Sequence, residues 1–203
     1  MSLRTVVCLL TALLLASSAI AATLETTYTG VSGTYTASSV AISSAYVAVL
    51  AKDEVNPSDS NSIGKIVVFD AQMSTLLWTY YAINSDELAR ISINDDTLFA
   101  VSPSSNYGEG RLIALHLANG TVKWTIDADN DGNGNFGRSL ATSNTAVAVG
   151  YSATTGVGRV YVYRPDNGEL SWTISPGTAD SMYAWSVAAS DQYVLVGQPA
   201  YYS

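Results

Sequence analysis

Gly158-Arg159-Val160-Tyr161-Val162-Tyr163, answered nine residues after Tyr163 by Trp172-Thr173-Ile174, is a phrase the chain uses three times. Earlier copies run from Gly64-Lys65-Ile66-Val67-Val68-Phe69 to Trp78-Thr79-Tyr80 and from Gly110-Arg111-Leu112-Ile113-Ala114-Leu115 to Trp124-Thr125-Ile126. From Gly to Trp the copies align without a gap, at steps of 46 and 48 residues. A period of this length, built from short β-rich runs, marks a β-propeller blade of four strands.

The third copy reads most clearly outward from that phrase. Ser139-Leu140-Ala141-Thr142-Ser143 is a short inner strand, Thr145 to Gly150 a second, Gly158 to Arg164 a third, and Glu169 to Ile174 a fourth after the turn Asp166-Asn167-Gly168. The third strands are apolar on both faces, as expected where a sheet is covered by a neighbour on each side. The repeated Trp is predicted to fill the space between adjacent blades. Inner strands begin at Ser39, Arg90, Ser139 and Ser186, spaced 51, 49 and 47 residues apart.

These spacings predict an all-β propeller of four-stranded blades at about 37–82, 88–128 and 136–176, with a partial fourth at 184–203 that has two of its strands. Leu24-Glu25-Thr26-Thr27-Tyr28 aligns with Leu170 to Ile174, Thr26 replacing the Trp, and reads as an orphan outer strand. Three complete blades and two partial ones do not close a ring. A piece of a longer propeller is the most economical reading, beside an arc completed by another subunit and a four-bladed ring lacking one strand.

Residues 1–21 read as a signal peptide ahead of a propeller at 22–203: Arg4 is a positive start, Thr5 to Ala16 an apolar run too short to span a bilayer, and Ala19-Ile20-Ala21 a cleavage pattern. The protein is expected outside the cell or on its surface, with no membrane span in the mature chain. Cys8, the only cysteine, leaves with the leader, and loss of Arg4 takes the net charge from −8 to −9. An acidic chain with scattered cations excludes nucleic acid as a partner.

One run carries the hard-oxygen chemistry of a calcium loop. Asp127, Asp129 and Asp131 sit at alternate positions, Gly132 follows, and Asn133 and Asn135 add amide oxygens. Position 12 of the run is Arg138, where a bidentate Glu would stand, so a Ca²⁺ loop and a solvated Asp/Asn/Gly turn both fit. Asn119-Gly120-Thr121 is a glycosylation sequon in a predicted two-residue hairpin turn, where Asn-Gly has its own backbone reason to occur. His116 is the only histidine and ends a predicted strand, and no Ser is paired with it in the pattern, so no catalytic residue is assigned. Tyr81, Tyr107, Tyr151, Tyr183, Tyr201 and Tyr202 lie near strand ends and could form a recognition surface.

Phe136-Gly137, Ser139 to Ser143, Val149-Gly150 and Gly158 to Tyr163 resemble the FG-GAP repeat of integrin α-like propellers, with Tyr183-Ala184 and Val196-Gly197-Gln198-Pro199 a looser copy. The resemblance covers roughly residues 24–203. It implies a non-enzymatic binding or adhesion module that meets a protein or carbohydrate ligand at the cell surface. The phrase Gly-x-Val-x-Ala-x followed by Gly-x-x-x-Trp is also similar to quinone-cofactor dehydrogenase propellers and their scaffold relatives. Enzymes of that group carry a vicinal cysteine pair, which this mature chain lacks. The alternative reading is therefore part of an extracellular enzyme, or an envelope scaffold subunit, whose site lies outside this chain.

Overall fold

The computed structural model describes residues 35–53, 64–82, 88–103, 110–128, 134–153, 157–176 and 183–199. The expected leader at 1–21 and the expected orphan strand at 24–28 fall outside the described residues. All fourteen described elements are strands. The first blade is β1 (Tyr35–Ile42), β2 (Tyr46–Asp53), β3 (Lys65–Asp70) and β4 (Leu76–Tyr81). The second is β5 (Arg90–Asn94), β6 (Thr97–Ser102), β7 (Arg111–His116) and β8 (Val122–Asp127). The third is β9 (Gly134–Thr142), β10 (Val147–Ala153), β11 (Arg159–Tyr163) and β12 (Leu170–Ile174). A two-stranded sheet, β13 (Ser186–Ala189) and β14 (Val194–Gly197), begins the fourth. Each full blade is an antiparallel meander in chain order, so the fold is a β-propeller with three complete blades and part of a fourth.

Alternation along the strands distributes side chains between blade junctions. Ala48, Leu50, Ile66 and Val68 face Leu98, Ala100, Ile113 and Leu115 across the first junction. Phe99, Val101, Leu112 and Ala114 use the other face of blade two to meet Phe136, Val147 and Val149 of blade three. Ala148, Val160 and Val162 then meet Val187, Ala189, Val194 and Val196. Both faces of a middle blade are thus covered, which is why β6 is buried along its whole length. Each Leu or Phe withdrawn from water here contributes about 1.5–3 kcal/mol.

Polar groups stitch the inner strands together where apolar side chains are short. Ser39 Oγ accepts from the Ile91 N–H at 3.2 Å, and the Ser92 and Thr142 hydroxyls lie 2.7 Å apart. Asn94 donates to Ser143 O at 2.6 Å, and Ser139 Oγ donates to Ala184 O at 2.9 Å. No buried side-chain nitrogen or oxygen among the described residues lacks a partner.

The repeated Trp closes the blade junctions in two places. Trp78 Nε1–H donates to Leu117 O of blade two at 2.8 Å, and Trp124 Nε1–H donates to Pro165 O of blade three at 3.2 Å. Each indole lies on a glycine of the same turn: a Cβ on Gly120 would come within 2.6 Å of Trp78, and one on Gly168 within 3.0 Å of Trp124. Both glycines also have positive φ, 72° and 75°.

The turn that holds Gly120 differs from the expected two-residue hairpin. His116 N–H donates to Thr121 O and Gly120 N–H to His116 O, so the connection is a four-residue turn, Leu117 to Gly120. Arg164, Gly168 and Glu169 repeat the pattern. The longer turn presents the carbonyl and bare α carbon that the neighbouring indole requires.

Candidate functional site

Antiparallel meanders give the molecule two ends. The tight turns between first and second and between third and fourth strands lie at one, the turn end. The inner strands start at the other, where third strands also begin with Lys65, Arg111 and Arg159. At this second end, glycines form another set of sockets: a Cβ on Gly110 would lie 2.6 Å from Phe136 Cβ, and one on Gly158 would lie 2.6 Å from Tyr183 O. Phe136 near the start of β9 and Tyr183 ahead of β13 are therefore anchors to the preceding blade, and Leu88 ahead of β5 faces Gly64 in the same way.

One residue later, a bulge re-aims the chain. The β9–β10 register shifts between Gly150 and Tyr151, opposite Gly137 at φ 79°. Arg138, next in line, holds its guanidinium 3.7 Å from the ring centroid of Trp185, which stands in the corresponding place ahead of β13. Trp185 remains 43% exposed. The pair joins a planar apolar surface to a fixed positive charge, suited to recognition, and an exposed contact of this kind is worth about 0.5–1 kcal/mol. Tyr81, exposed at the end of β4, adds an aromatic edge at the same end.

Of the candidate calcium ligands, Asp127 ends β8 and accepts a 2.5 Å hydrogen bond from Arg111 Nε. The cation this carboxylate meets is thus a guanidinium. Asp129, Asp131 and Asn133 lie outside the described residues, and Asn135 is in β9 opposite Ser152. No group of three or more His, Cys, Asp or Glu positioned for a metal occurs among the described residues.

Asn119 is exposed, and its Oδ1 accepts from Thr121 N–H at 3.0 Å and Thr121 Oγ1–H at 2.7 Å, a side-chain-closed turn. His116 is exposed at the turn end. Tyr151 is buried against Phe136 and Tyr161 as core, while Tyr183 packs partly buried beside Ala184. Tyr107, Tyr201 and Tyr202 lie outside the described residues.

The turn end is acidic and internally bonded. Asp96 is held below its ordinary value of 3.8 first by the Thr97 hydroxyl and then by Lys123, whose Nζ is 3.3 Å away. The Ser74 hydroxyl lowers Asp70, and Arg164 lowers Asp166 from 3.0 Å. An open groove of about 460 Å³ runs between Asn144, Thr145, Arg164, Pro165, Asp166 and Ser171. Among the described residues no helix is long and apolar enough to cross a membrane.

A family model described as outer membrane protein assembly factor BamB matches residues 24–198. No curated protein matches the chain. Among solved structures, the Dos1 propeller is similar at a TM-score of 0.54 and 14% identity, covering 86% of this chain and 44% of that one. A europium-containing methanol dehydrogenase (TM-score 0.48, 13% identity) is covered over 26% of its length by 70% of this chain. A quinohemoprotein alcohol dehydrogenase from Comamonas testosteroni (TM-score 0.42, 16% identity) is covered over 21% by 70% of this chain. The chain thus spans under half of these neighbours.

Two expectations are corrected by these findings. The repeat is not of the FG-GAP, integrin-like kind: the matching model is the BamB one, and adhesion loses its support with that resemblance. The repeat sets Gly120 four residues ahead of Trp124 and Gly168 four ahead of Trp172, and at the junctions Gly120 receives Trp78 and Gly168 receives Trp124. That Gly-x-x-x-Trp signal was legible and outweighs Phe136-Gly137, whose ring is an anchor on Gly110. The assignment as non-enzymatic is withdrawn as well. The chain spans 44% of the Dos1 propeller, so the lack of a catalytic set in this part does not decide the matter.

Proposed function

The chain belongs to the family of the outer membrane protein assembly factor BamB, and from that premise we propose that it is part of a larger exported propeller working in the cell envelope. Its blades act as a rigid platform that presents the inner-strand end to a protein partner. The Arg138–Trp185 pair supports this reading, because a bulge and two successive blades combine to leave a large ring 43% exposed beside a fixed cation. Rings and arginines of this kind are enriched at protein interfaces. Export follows from the leader at 1–21. A Ca²⁺ in the Asp127–Asn135 run and a glycan at Asn119 are subsidiary proposals of the same reading.

Photo-crosslinking residues placed at Trp185 and, as a control, at Asp191 of the turn end provide the test in intact envelopes. An adduct from Trp185 with one envelope protein, absent from the control, is the expected result. Export of the protein without any adduct from Trp185 would overturn the proposal.

A further inference from the structure

Three blades offer the same position at the inner-strand end. Leu88, Phe136 and Tyr183 seat against Gly64, Gly110 and Gly158, and the residues two places on are Arg90, Arg138 and Trp185. The strands that follow touch side by side, with the Ser92 and Thr142 hydroxyls 2.7 Å apart and Ser139 Oγ 2.9 Å from Ala184 O. Arg111, Lys123 and Arg164 each meet a carboxylate. Arg90 and Arg138 meet none among the described residues: Arg90, exposed, donates to Ala89 O at 2.8 Å, and Arg138 lies over Trp185. The indole is aimed by strain. Ala184 takes the left-handed conformation (φ 65°) that Gly137 takes in blade three, and Ser139 holds its carbonyl. A residue with a side chain adopts it rarely, and such strain persists where the surroundings fix it, often at binding sites.

We propose that Arg90, Arg138 and Trp185 form one binding site for an acidic, extended segment of a protein partner. Each guanidinium takes a carboxylate through two parallel N–H bonds, and the methylene stem of an acidic side chain lies along the indole. Charge complementarity selects this occupant. Two arginines without carboxylates stand at the same position on touching strands, in a chain whose net charge of −8 repels acidic segments elsewhere. That the acidic segment belongs to a protein rests on the reading of the inner-strand end as a platform.

The probe is the peptide acetyl-Glu-Val-Glu-Val-Glu-amide, with its Gln-for-Glu counterpart as control, titrated into the purified protein in low-salt buffer. Carboxylates at alternate positions of an extended chain share one face, about 7 Å apart. The four indole N–H signals in ¹⁵N spectra report the outcome, with Trp185→Phe as the assignment. The Trp185 signal should shift saturably with the Glu peptide and stay still with the Gln one. Half-saturation should rise about tenfold in Arg90→Gln and in Arg138→Gln. It should rise less in Arg90→Lys, which keeps the charge but loses the fork, and not at all in Arg164→Gln at the turn end. Native Trp78 and Trp124 signals show that each variant is folded. The absence of a saturable shift in wild type overturns the proposal. Equal binding of the Gln peptide, or undiminished binding by the two Gln variants, overturns it as well. Peptide binding without an envelope adduct from Trp185 would strike the platform reading alone, and an adduct without peptide binding would strike this proposal alone.

Discussion

The indole of Trp124 lies against the α carbon of Gly168 in the next blade, so close that an added Cβ would stand 3.0 Å from Trp124 Cδ2 and Cε3. Two blades are locked by one atom that is missing. Stability of the stack therefore depends on glycines as much as on the large residues they receive.

Gly168→Ala should destabilise the protein by about 2–4 kcal/mol, combining the left-handed backbone penalty with overpacking. The same change at Gly120, where the nearest Trp78 atom is 2.6 Å away, should cost at least as much. Urea unfolding followed by tryptophan emission reads the loss. A change below about 0.5 kcal/mol at either site would mean the indole does not pack as described.

Trp78→Phe keeps a ring on Gly120 but removes the bond to Leu117 O, at a cost of about 1 kcal/mol beyond the lost area. Trp78→Ala should cost about 3–5 kcal/mol. Trp172→Ala, at a position already 47% exposed, should cost clearly less. Equal losses at Trp78 and Trp172 would contradict the difference in their surroundings.

Gly110→Ala places a methyl 2.6 Å from Phe136 Cβ and should open the junction between blades two and three. Phe136→Ala alone leaves a cavity worth about 3–5 kcal/mol. The double variant should recover part of the clash, giving a coupling of about 1 kcal/mol or more. Additive losses would show that the two residues do not share one space.

Asp96 is depressed by Thr97 and Lys123, so its folded-state pKa lies below the unfolded value. The stabilisation is present above the ordinary carboxylate range and is lost as pH falls through the folded pKa. Asp96→Asn should flatten the fall of Tm between about pH 5 and 2 while lowering Tm at neutral pH only slightly, because the pair is exposed. A variant with the same acid slope as wild type would remove Asp96 from the account.

Arg111 holds Asp127 and competes with any cation at the Asp127–Asn135 run. Arg111→Gln should make calcium binding measurable, or stronger, by calorimetry. Absence of heat from both proteins would end the calcium proposal.

Much of the blade was legible because its signals are local. The alternation, the Gly-to-Trp phrase and the 46- and 48-residue steps dictate antiparallel strands in chain order, and residues 65–70, 111–116 and 159–163 form the third strands they announce. A three-residue appearance hid the turn after Arg164, because Asp166-Asn167-Gly168 shows the glycine but not the carbonyl of Pro165 that faces the neighbouring blade. The partner of Asp127 was hidden for a similar reason: Arg111 is sixteen residues away and meets it only across the β7–β8 pair.

The period and polarity of the chain alone determined that it would build four-stranded blades, since burial of alternating residues leaves a repeated β segment few other solutions. Tertiary structure decided what the signature residues of the repeat do. Gly168 and Trp124 are forty-four residues apart and acquire their roles only when one blade stacks on the next. Close approach between sheets is a property of their packing, and no single strand encodes it.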